Sequence, residues 1–133
     1  MICCNILAIE KYQAEEDRIG ILGMTPQDVS DLDAADKIRD LYQQKYGKQA
    51  VCYCMGDGLE EIREASSVSR NIVVSPAALM TAKYLEKTFG TPYEIHYPLV
   101  DELIPDVDYT GKEVLIVHQQ VIANSIRKEL LKK

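Results

Sequence analysis

Apolar runs of strand length alternate along this chain with segments in which apolar residues recur at helical spacing. The predicted strands are Arg18–Met24, Ala50–Met55, Asn71–Ser75 and Glu113–His118. The last of these runs is almost entirely β-branched or apolar, which is typical of a strand covered on both faces. A further candidate strand, Tyr93–Tyr97, follows the turn at Thr91-Pro92.

Four helices are predicted from the apolar stripes between and after these strands. They cover Asp33–Tyr46, Leu59–Ala65, Pro76–Phe89 and Val121–Leu131. Gly47 and Gly90 each follow a helix as a C-cap, and Ser75 before Pro76 predicts an N-cap. The short second helix is expected to turn Leu59 inward. Cys3–Gln13 predicts another helix, with an early strand as the alternative.

The order of these elements predicts an α/β fold. Strand–helix–strand units in one sheet require right-handed crossovers, and their repetition gives a three-layer, doubly wound, Rossmann-like sandwich with a mainly parallel sheet. Residues 1–17 are interpreted as an N-terminal extension that is expected to be helical, and 18–110 as the Rossmann-like domain. Residues 111–133 supply a strand and helix that begin the next α/β domain or link to it.

Charge and composition narrow the class of partner. The 133 residues are 47% hydrophobic and 27% charged, as in ordinary globular proteins, and the net charge is −6. Basic residues are scattered rather than clustered, which argues against nucleic acid. The one basic cluster, Arg127, Lys128, Lys132 and Lys133, is interpreted as complementing a helix C-terminus.

The expected location is the cytoplasm. No apolar run approaches the length of about 18 residues that spans a bilayer, so no membrane contact is expected. Met1–Ala8 lacks the charged start and cleavage site of a signal peptide. The four cysteines, an adjacent pair and Cys52-x-Cys54, do not form a disulfide framework and fit reduced thiols. Core packing is the favoured role of Cys52 and Cys54, because an isolated C-x-C is a poor metal site.

Candidate binding residues lie at the carboxyl ends of the predicted strands, where parallel sheets bind their ligands. Gly56-Asp57-Gly58 ends a strand and opens a helix, so its N–H groups are candidates to hold an anion. The simpler interpretation is a tight turn capped by Asp57. Ser75 occupies the same kind of position, although an N-cap alone explains it. His96 and His118 each end a strand, where a ligand-binding imidazole or a structural one would lie.

Several catalytic signatures are absent from the sequence. There is no G-x-x-x-x-G-K-[ST] phosphate loop, no G-x-G-x-x-G dinucleotide motif and no G-x-S-x-G nucleophile elbow. We therefore assign no catalytic residue and no metal ligand, and we expect no cofactor bound by this segment alone. The residues by themselves indicate an α/β binding scaffold, and whether it is an enzyme stays open.

Three segments together resemble the nitrogenase component 1-type oxidoreductases. They are ILGMTPQDV (Ile21–Val29), GDGLEEIREAS (Gly56–Ser66) and NIVVSPAALMTAKYLEKTFGTPY (Asn71–Tyr93). VLIVHQQVIANSIRKELL is similar to the first strand and helix of that family's next domain. The resemblance covers the chain from about Arg18 onward and implies the middle, nitrogenase/chelatase-like domain of a larger protein.

The resemblance also implies a function and partners. It implies electron transfer through an iron–sulfur or metal cluster in the full-length parent, with other domains of that parent, an iron–sulfur reductase protein and a homo- or hetero-oligomer as partners. Gly56, Asp57, Gly58, Ser75 and His96 would then line a cofactor or substrate cleft. The family's cofactor-anchoring cysteine falls near Ser75, where this chain has no cysteine. A cluster bound by this domain itself is therefore not expected.

Overall fold

A four-stranded parallel sheet forms the centre of the protein in a computed structural model, which describes residues 6–29, 31–53 and 55–132. The strands are β1 (Glu15–Leu22), β2 (Gln49–Cys52), β3 (Val68–Val73) and β4 (Tyr93–Ile95). The helices are α1 (Pro26–Val29), α2 (Ala34–Tyr46), α3 (Leu59–Arg63), α4 (Leu79–Phe89) and α5 (Gln120–Leu130). Short 3₁₀ turns occupy Ala65–Ser67, Pro76–Ala78 and Val100–Leu103.

The strand order is β2-β1-β3-β4, and every neighbouring pair is parallel. Ile21 of β1 pairs with Cys52 of β2 on one side and with Ile72 of β3 on the other. After β1 the chain adds β2 on one side of β1, and it then crosses to the other side to add β3 and β4. This arrangement confirms the predicted α/β class with a parallel, Rossmann-like sheet.

Two hydrophobic cores lie on opposite faces of the sheet, because alternate residues of a strand point to opposite sides. On one face Ile21, Ile72 and Val74 pack with Ile38 of α2 and Ile122 of α5. The other core contains side chains of β1 and β3 together with α3 and α4, namely Leu22, Val73, Ile62, Ala82 and Leu85. Helices therefore cover both faces.

Glycines end two of the helices as predicted. Gly47 follows α2 with φ 60°, and Gly90 follows α4 with φ 80°. Both values lie in the left-handed region that glycine enters at low cost, so the backbone can leave the helix there.

Three sequence predictions differ from the structure. Glu113–His118 forms no strand; its side chains are mostly exposed, since no neighbouring strand is present to pair with it in the described part of the chain. In the predicted helix Cys3–Gln13, Ile6 and Leu7 are helical and Ala8–Gln13 is irregular, while Cys3–Asn5 lies outside the described residues. Leu59 is exposed, because the short α3 buries only Ile62. None of the helices within the described ranges is both long and apolar enough to cross a membrane.

Candidate functional site

A cleft of about 400 Å³ opens at the carboxyl ends of β3 and β4, beside α5. Its volume lies within the range of about 300–1,000 Å³ that is usual for small-molecule sites. The strand side supplies Val73, Pro76, Leu79 and Ile95, and α5 supplies Gln120, Val121, Asn124, Ser125, Arg127 and Lys128. The edge of the sheet predicted from sequence thus carries the cleft.

Two side chains fix α5 against the sheet and so set the width of the cleft. The Gln119 side chain donates from Nε2 to the carbonyl of Val74 (2.5 Å) and accepts at Oε1 from the N–H of Val121 (2.8 Å). The buried Ser125 hydroxyl accepts from the N–H of Tyr97 and donates to the carbonyl of Val121, both at 2.9 Å. These bonds join α5 to the ends of β3 and β4 and preorganise the cleft between them.

The lining combines an apolar floor with a polar, basic wall. Val73 and Val121 are buried, and Leu79 and Ile95 complete the apolar part. Arg127 and Lys128 are exposed on the wall, and neither has a carboxylate within 4.0 Å in the described part of the chain. An apolar surface beside cations without counterions suits a ligand that carries an anionic group on an apolar body.

The position between β1 and β3 is closed in this protein. Parallel sheets often bind ligands where the chain reverses its building direction, and here that point is the gap after β1 and β3. The backbone of Gly23 packs closely against its neighbours there. A Cβ atom added to Gly23 would lie 2.7 Å from Cβ of Ala78 and 3.0 Å from Cβ of Ser75. This close packing leaves the neighbouring β3–β4 position as the open part of the edge.

Ser75 and His96 each adjoin a residue that lines the cleft, but neither belongs to its lining, and His96 lines a separate surface pocket with Ile72 and Glu94. Ser75 is buried between Val74 and Pro76, and its carbonyl accepts from the N–H of Ala78 at 3.1 Å. Ser75 occupies the N-cap position before Pro76, as predicted, but the element it precedes is a 3₁₀ turn and its side chain makes no capping hydrogen bond.

His96 follows Ile95 at the end of β4, with Nδ1 3.9 Å from Oε2 of Glu94. Burial lowers the pKa of His96; the Glu94 carboxylate opposes this effect, and the Lys128 ammonium adds to it. The imidazole is therefore held in its neutral form beside a cation that lines the cleft.

The Gly56-Asp57-Gly58 loop lies beyond β2, at the opposite side of the sheet from β4. The structure therefore does not bring it together with Ser75 and His96. Asp57 Oδ2 accepts from the N–H of Cys52 at 2.6 Å and lies 2.9 Å from Arg39 Nη2. Arg39 also donates to the carbonyl of Met55 at 3.2 Å.

The N–H of Gly58 has an internal partner as well. It donates to Oε2 of Glu61 at 2.9 Å, so a carboxylate of the same chain occupies the start of α3. Gly56 adopts φ 87°, as the tight turn requires. The Asp57 carboxylate and the Gly58 N–H are thus engaged within the protein.

Cys52 is a core residue, as its strand position predicts. Its side chain is fully buried with Sγ 3.8 Å from the carbonyl of Ala35, and burial raises the pKa of the thiol to about 12. This burial fits the core-packing role expected of a free cysteine. Cys3, Cys4 and Cys54 lie outside the described residues. Within the described residues, no three His, Cys, Asp or Glu side chains lie close enough together to hold a metal ion.

Sequence reasoning missed the residues of α5 that line the cleft. Arg127 and Lys128 lie in the last turn of α5, as the interpretation of a helix C-terminus expected, and they also line the cleft, which it did not foresee. The signal was present in the spacing: Gln120, Asn124 and Lys128 recur every four residues and so share one polar face of the helix. What the spacing could not show is that this face borders β3 and β4.

Comparison of the chain with protein-family models, with curated proteins and with solved structures gives no match. The resemblance to the nitrogenase component 1-type oxidoreductases therefore stays a hypothesis from the sequence. The geometry of the cleft is the firmest guide to function.

Proposed function

We propose that this chain is a small-molecule-binding α/β domain, and that its ligand is an anionic compound with an apolar body held in the cleft beside α5. The observation that carries the proposal is the pair of cations, Arg127 and Lys128, beside an apolar floor at the carboxyl edge of a parallel sheet. Both cations lack a carboxylate partner among the described residues.

Electrostatics supports an anionic ligand. The chain carries a net charge of −6, yet two adjacent cations that line the same cavity have no carboxylate within 4.0 Å among the residues that the structure describes. Arg127 can bind a carboxylate or phosphate through two parallel hydrogen bonds, while Lys128 adds a point charge.

The apolar part of the ligand is expected to rest on the strand side. Leu79 and Ile95 reach the cleft with partly exposed side chains, and Pro76 presents a rigid ring between them. Covering this surface removes apolar area from water, which is worth about 25 cal/mol per Å². A ligand without an apolar body would lose that contribution.

At the finer level we propose a doubly wound, nitrogenase/chelatase-like domain of a nitrogenase component 1-like oxidoreductase. The three resembling segments coincide with the carboxyl end of β1 and α1, with α3, and with β3 through the start of β4. In such a parent the cleft would face a cofactor or substrate shared with other domains, and electrons would come from an iron–sulfur reductase protein. The chain supplies binding and orientation, and no redox step is assigned to its own residues.

The alternative is a non-catalytic scaffold domain of the same fold, which would hold a metal cofactor, a tetrapyrrole or a partner protein. Iron content and visible absorption of the complete parent protein, purified without oxygen, distinguish the oxidoreductase from the scaffold. Iron that is reduced and reoxidised during turnover supports the oxidoreductase. Protein that is inactive with every reductant, whether it lacks iron or holds a metal cofactor that is not reduced and reoxidised, supports the scaffold.

Binding in the cleft is tested by calorimetric titration with indole-3-acetate, an aromatic carboxylate. Arg127→Gln combined with Lys128→Gln is expected to weaken binding at least about tenfold, which corresponds to about 1.4 kcal/mol. The reason is the loss of two charge-assisted contacts.

The matched control is Lys83→Gln combined with Lys87→Gln. It removes the same charge from exposed positions of α4 that do not line the cleft. Equal weakening in both double variants would attribute binding to overall charge and contradict the proposed site.

A further inference from the structure

A second pocket lies on the face of the sheet that carries Ile19 and Ile72, and it shares no lining residue with the cleft beside α5. Its volume of about 230 Å³ is below the range of about 300–1,000 Å³ that is usual for small-molecule sites, so it suits one small ring system. The rest of its lining consists of Tyr42, Tyr46, Lys48, Arg70, Glu94 and His96.

The apolar part of this pocket comes from two strands and from α2. Ile19 and Ile72 are buried residues of β1 and β3 that lie on the same face of the sheet. Tyr42 and Tyr46 are one helical turn apart in α2, with ring centroids separated by 5.3 Å and planes tilted by 42°. Tyr46 exposes 59% of its surface, so its ring is available to stack with a flat aromatic ligand.

The hydroxyl of Tyr42 has no hydrogen-bond partner in the part of the chain that the structure describes, although only 6% of this residue is exposed. Burial, with smaller contributions from Tyr46 and the Glu94 carboxylate, raises the pKa of Tyr42 to about 12, while Arg70 opposes these effects. The hydroxyl therefore keeps its proton at neutral pH. Because buried polar groups are ordinarily paired, this donor is suited to an acceptor atom of a ligand.

The Glu94 carboxylate supplies acceptors to the same pocket. Its Oε1 accepts from Nη1 of Arg70 at 2.7 Å, and its Oε2 lies 3.9 Å from Nδ1 of His96, beyond hydrogen-bond distance. A carboxylate has about four acceptor positions, so Arg70 orients Glu94 and leaves most of them open. The charges of Arg70 and Glu94 cancel, which favours an uncharged polar ligand. Lys48 donates from Nζ to the carbonyl of Glu16 at 2.6 Å.

We propose that this pocket binds a flat, uncharged heteroaromatic ring whose edge carries two adjacent N–H groups beside a carbonyl oxygen. Guanine and the pterins share this edge. The two N–H groups donate to the Glu94 carboxylate, the ring carbonyl accepts from the Tyr42 hydroxyl, and the ring stacks on Tyr46. This site is independent of the anionic ligand proposed for the cleft.

Calorimetric titration of the chain with guanosine and, separately, with neopterin tests the proposal, and the tighter probe identifies the source of the edge. Inosine lacks only the exocyclic amino group of guanosine, so it should bind at least about fivefold more weakly than guanosine. Arg127→Gln combined with Lys128→Gln should leave binding of both probes unchanged. Binding of neither probe, equal binding of guanosine and inosine, or weaker binding by this double variant would overturn the proposal.

Two substitutions in the pocket test the assigned contacts with the tighter probe. Tyr42→Phe removes only the hydroxyl and should weaken binding at least about fivefold. It should not lower the midpoint of urea unfolding, since no internal hydrogen bond is lost. Glu94→Gln should weaken binding at least about tenfold and keep the fold, because its pair with Arg70 is half-exposed.

The matched control is Glu86→Gln, which makes the same change of charge at an exposed position of α4 outside the pocket. It should leave binding unchanged. Full binding by Tyr42→Phe or by Glu94→Gln would contradict the assigned contacts. A loss of stability in Tyr42→Phe would show that the hydroxyl has a structural role, and it would equally contradict the proposal.

Discussion

The carboxyl edge of the sheet has two regions of opposite character, the Gly56-Asp57-Gly58 loop after β2 and the cleft after β3 and β4. In the loop, the Asp57 carboxylate is held by Arg39 and by the N–H of Cys52, and the Gly58 N–H is held by Glu61. In the cleft, Arg127 and Lys128 have no carboxylate partner among the described residues. The loop pairs its carboxylate and the Gly58 N–H internally, whereas the two cations of the cleft have no carboxylate partner in the described residues.

This difference separates a structural motif from a candidate binding site. Glycines and an acid at a strand end indicate an anion site only if the N–H groups lack an internal acceptor. In this protein Glu61 supplies that acceptor for Gly58. Cations beside an apolar floor, by contrast, require an external anion to complete their pairing.

The largest effect is expected at Gly23, whose packing closes the edge between these two regions. Gly23→Ala should lower the free energy of unfolding by about 3 kcal/mol, because the added Cβ meets Ala78 at 2.7 Å and the residue has φ 89°. Gly47→Ala is the control: it also has a positive φ, of 60°, but open space around it, so the cost should be about 1 kcal/mol. Urea unfolding measures both, and equal costs would show that contact at Gly23 is unimportant.

A smaller loss is expected when the loop's internal pairing is broken. Asp57→Ala should cost about 2 kcal/mol in urea unfolding, since it leaves Arg39 and the N–H of Cys52 without their shared acceptor. Asp36→Ala removes the other, exposed partner of Arg39 and should cost at most about 0.5 kcal/mol. Neither change should alter binding of indole-3-acetate; weaker binding by Asp57→Ala would make the loop a ligand site.

The smallest effect concerns pH and His96. Its pKa is lowered in the folded protein, chiefly by burial, so the folded state binds fewer protons than the unfolded chain as pH falls through about 6.5. Stability contributed by the neutral imidazole is therefore present above that pH and is lost below it. His96→Gln should flatten the dependence of the unfolding free energy on pH between about 7 and 5.5, and an unchanged dependence in this variant would contradict the assignment.

A ligand bound in the cleft should change the pKa of His96 in the direction opposite to the effect of burial. Because Lys128 adds to the lowering of the His96 pKa and also lines the cleft, a bound anion should raise that pKa toward its ordinary value. Imidazole proton shifts, followed by NMR with and without indole-3-acetate, measure the change. An unchanged His96 titration under saturating probe would place the anion away from Lys128.

Much of the fold could be predicted because local patterns determine it. The apolar runs near Arg18, Ala50 and Asn71 became β1, β2 and β3, and helical periodicity located α2 and α4. Glu113–His118 has the same composition as a buried strand but remains unpaired, since a strand also needs a neighbour, which composition does not encode.

The site was less predictable because it depends on which elements become neighbours. The rule for parallel sheets pointed to the edge that carries the cleft, and Ser75 and His96 adjoin residues of its lining. It could not choose between the loop at Asp57 and the β3–β4 end. That choice rests on the partners of Asp57 and on the packing of α5, which join residues far apart in the sequence.

Amide chemical-shift mapping with indole-3-acetate tests the central claim most directly. The account predicts that shifts concentrate in Val74–Leu79, Ile95–Tyr97 and Gln119–Lys128, and that Met55–Glu61 is unaffected. Shifts centred on Met55–Glu61, or none at concentrations of about 10 mM, well above a weak Kd of about 1 mM, would contradict it.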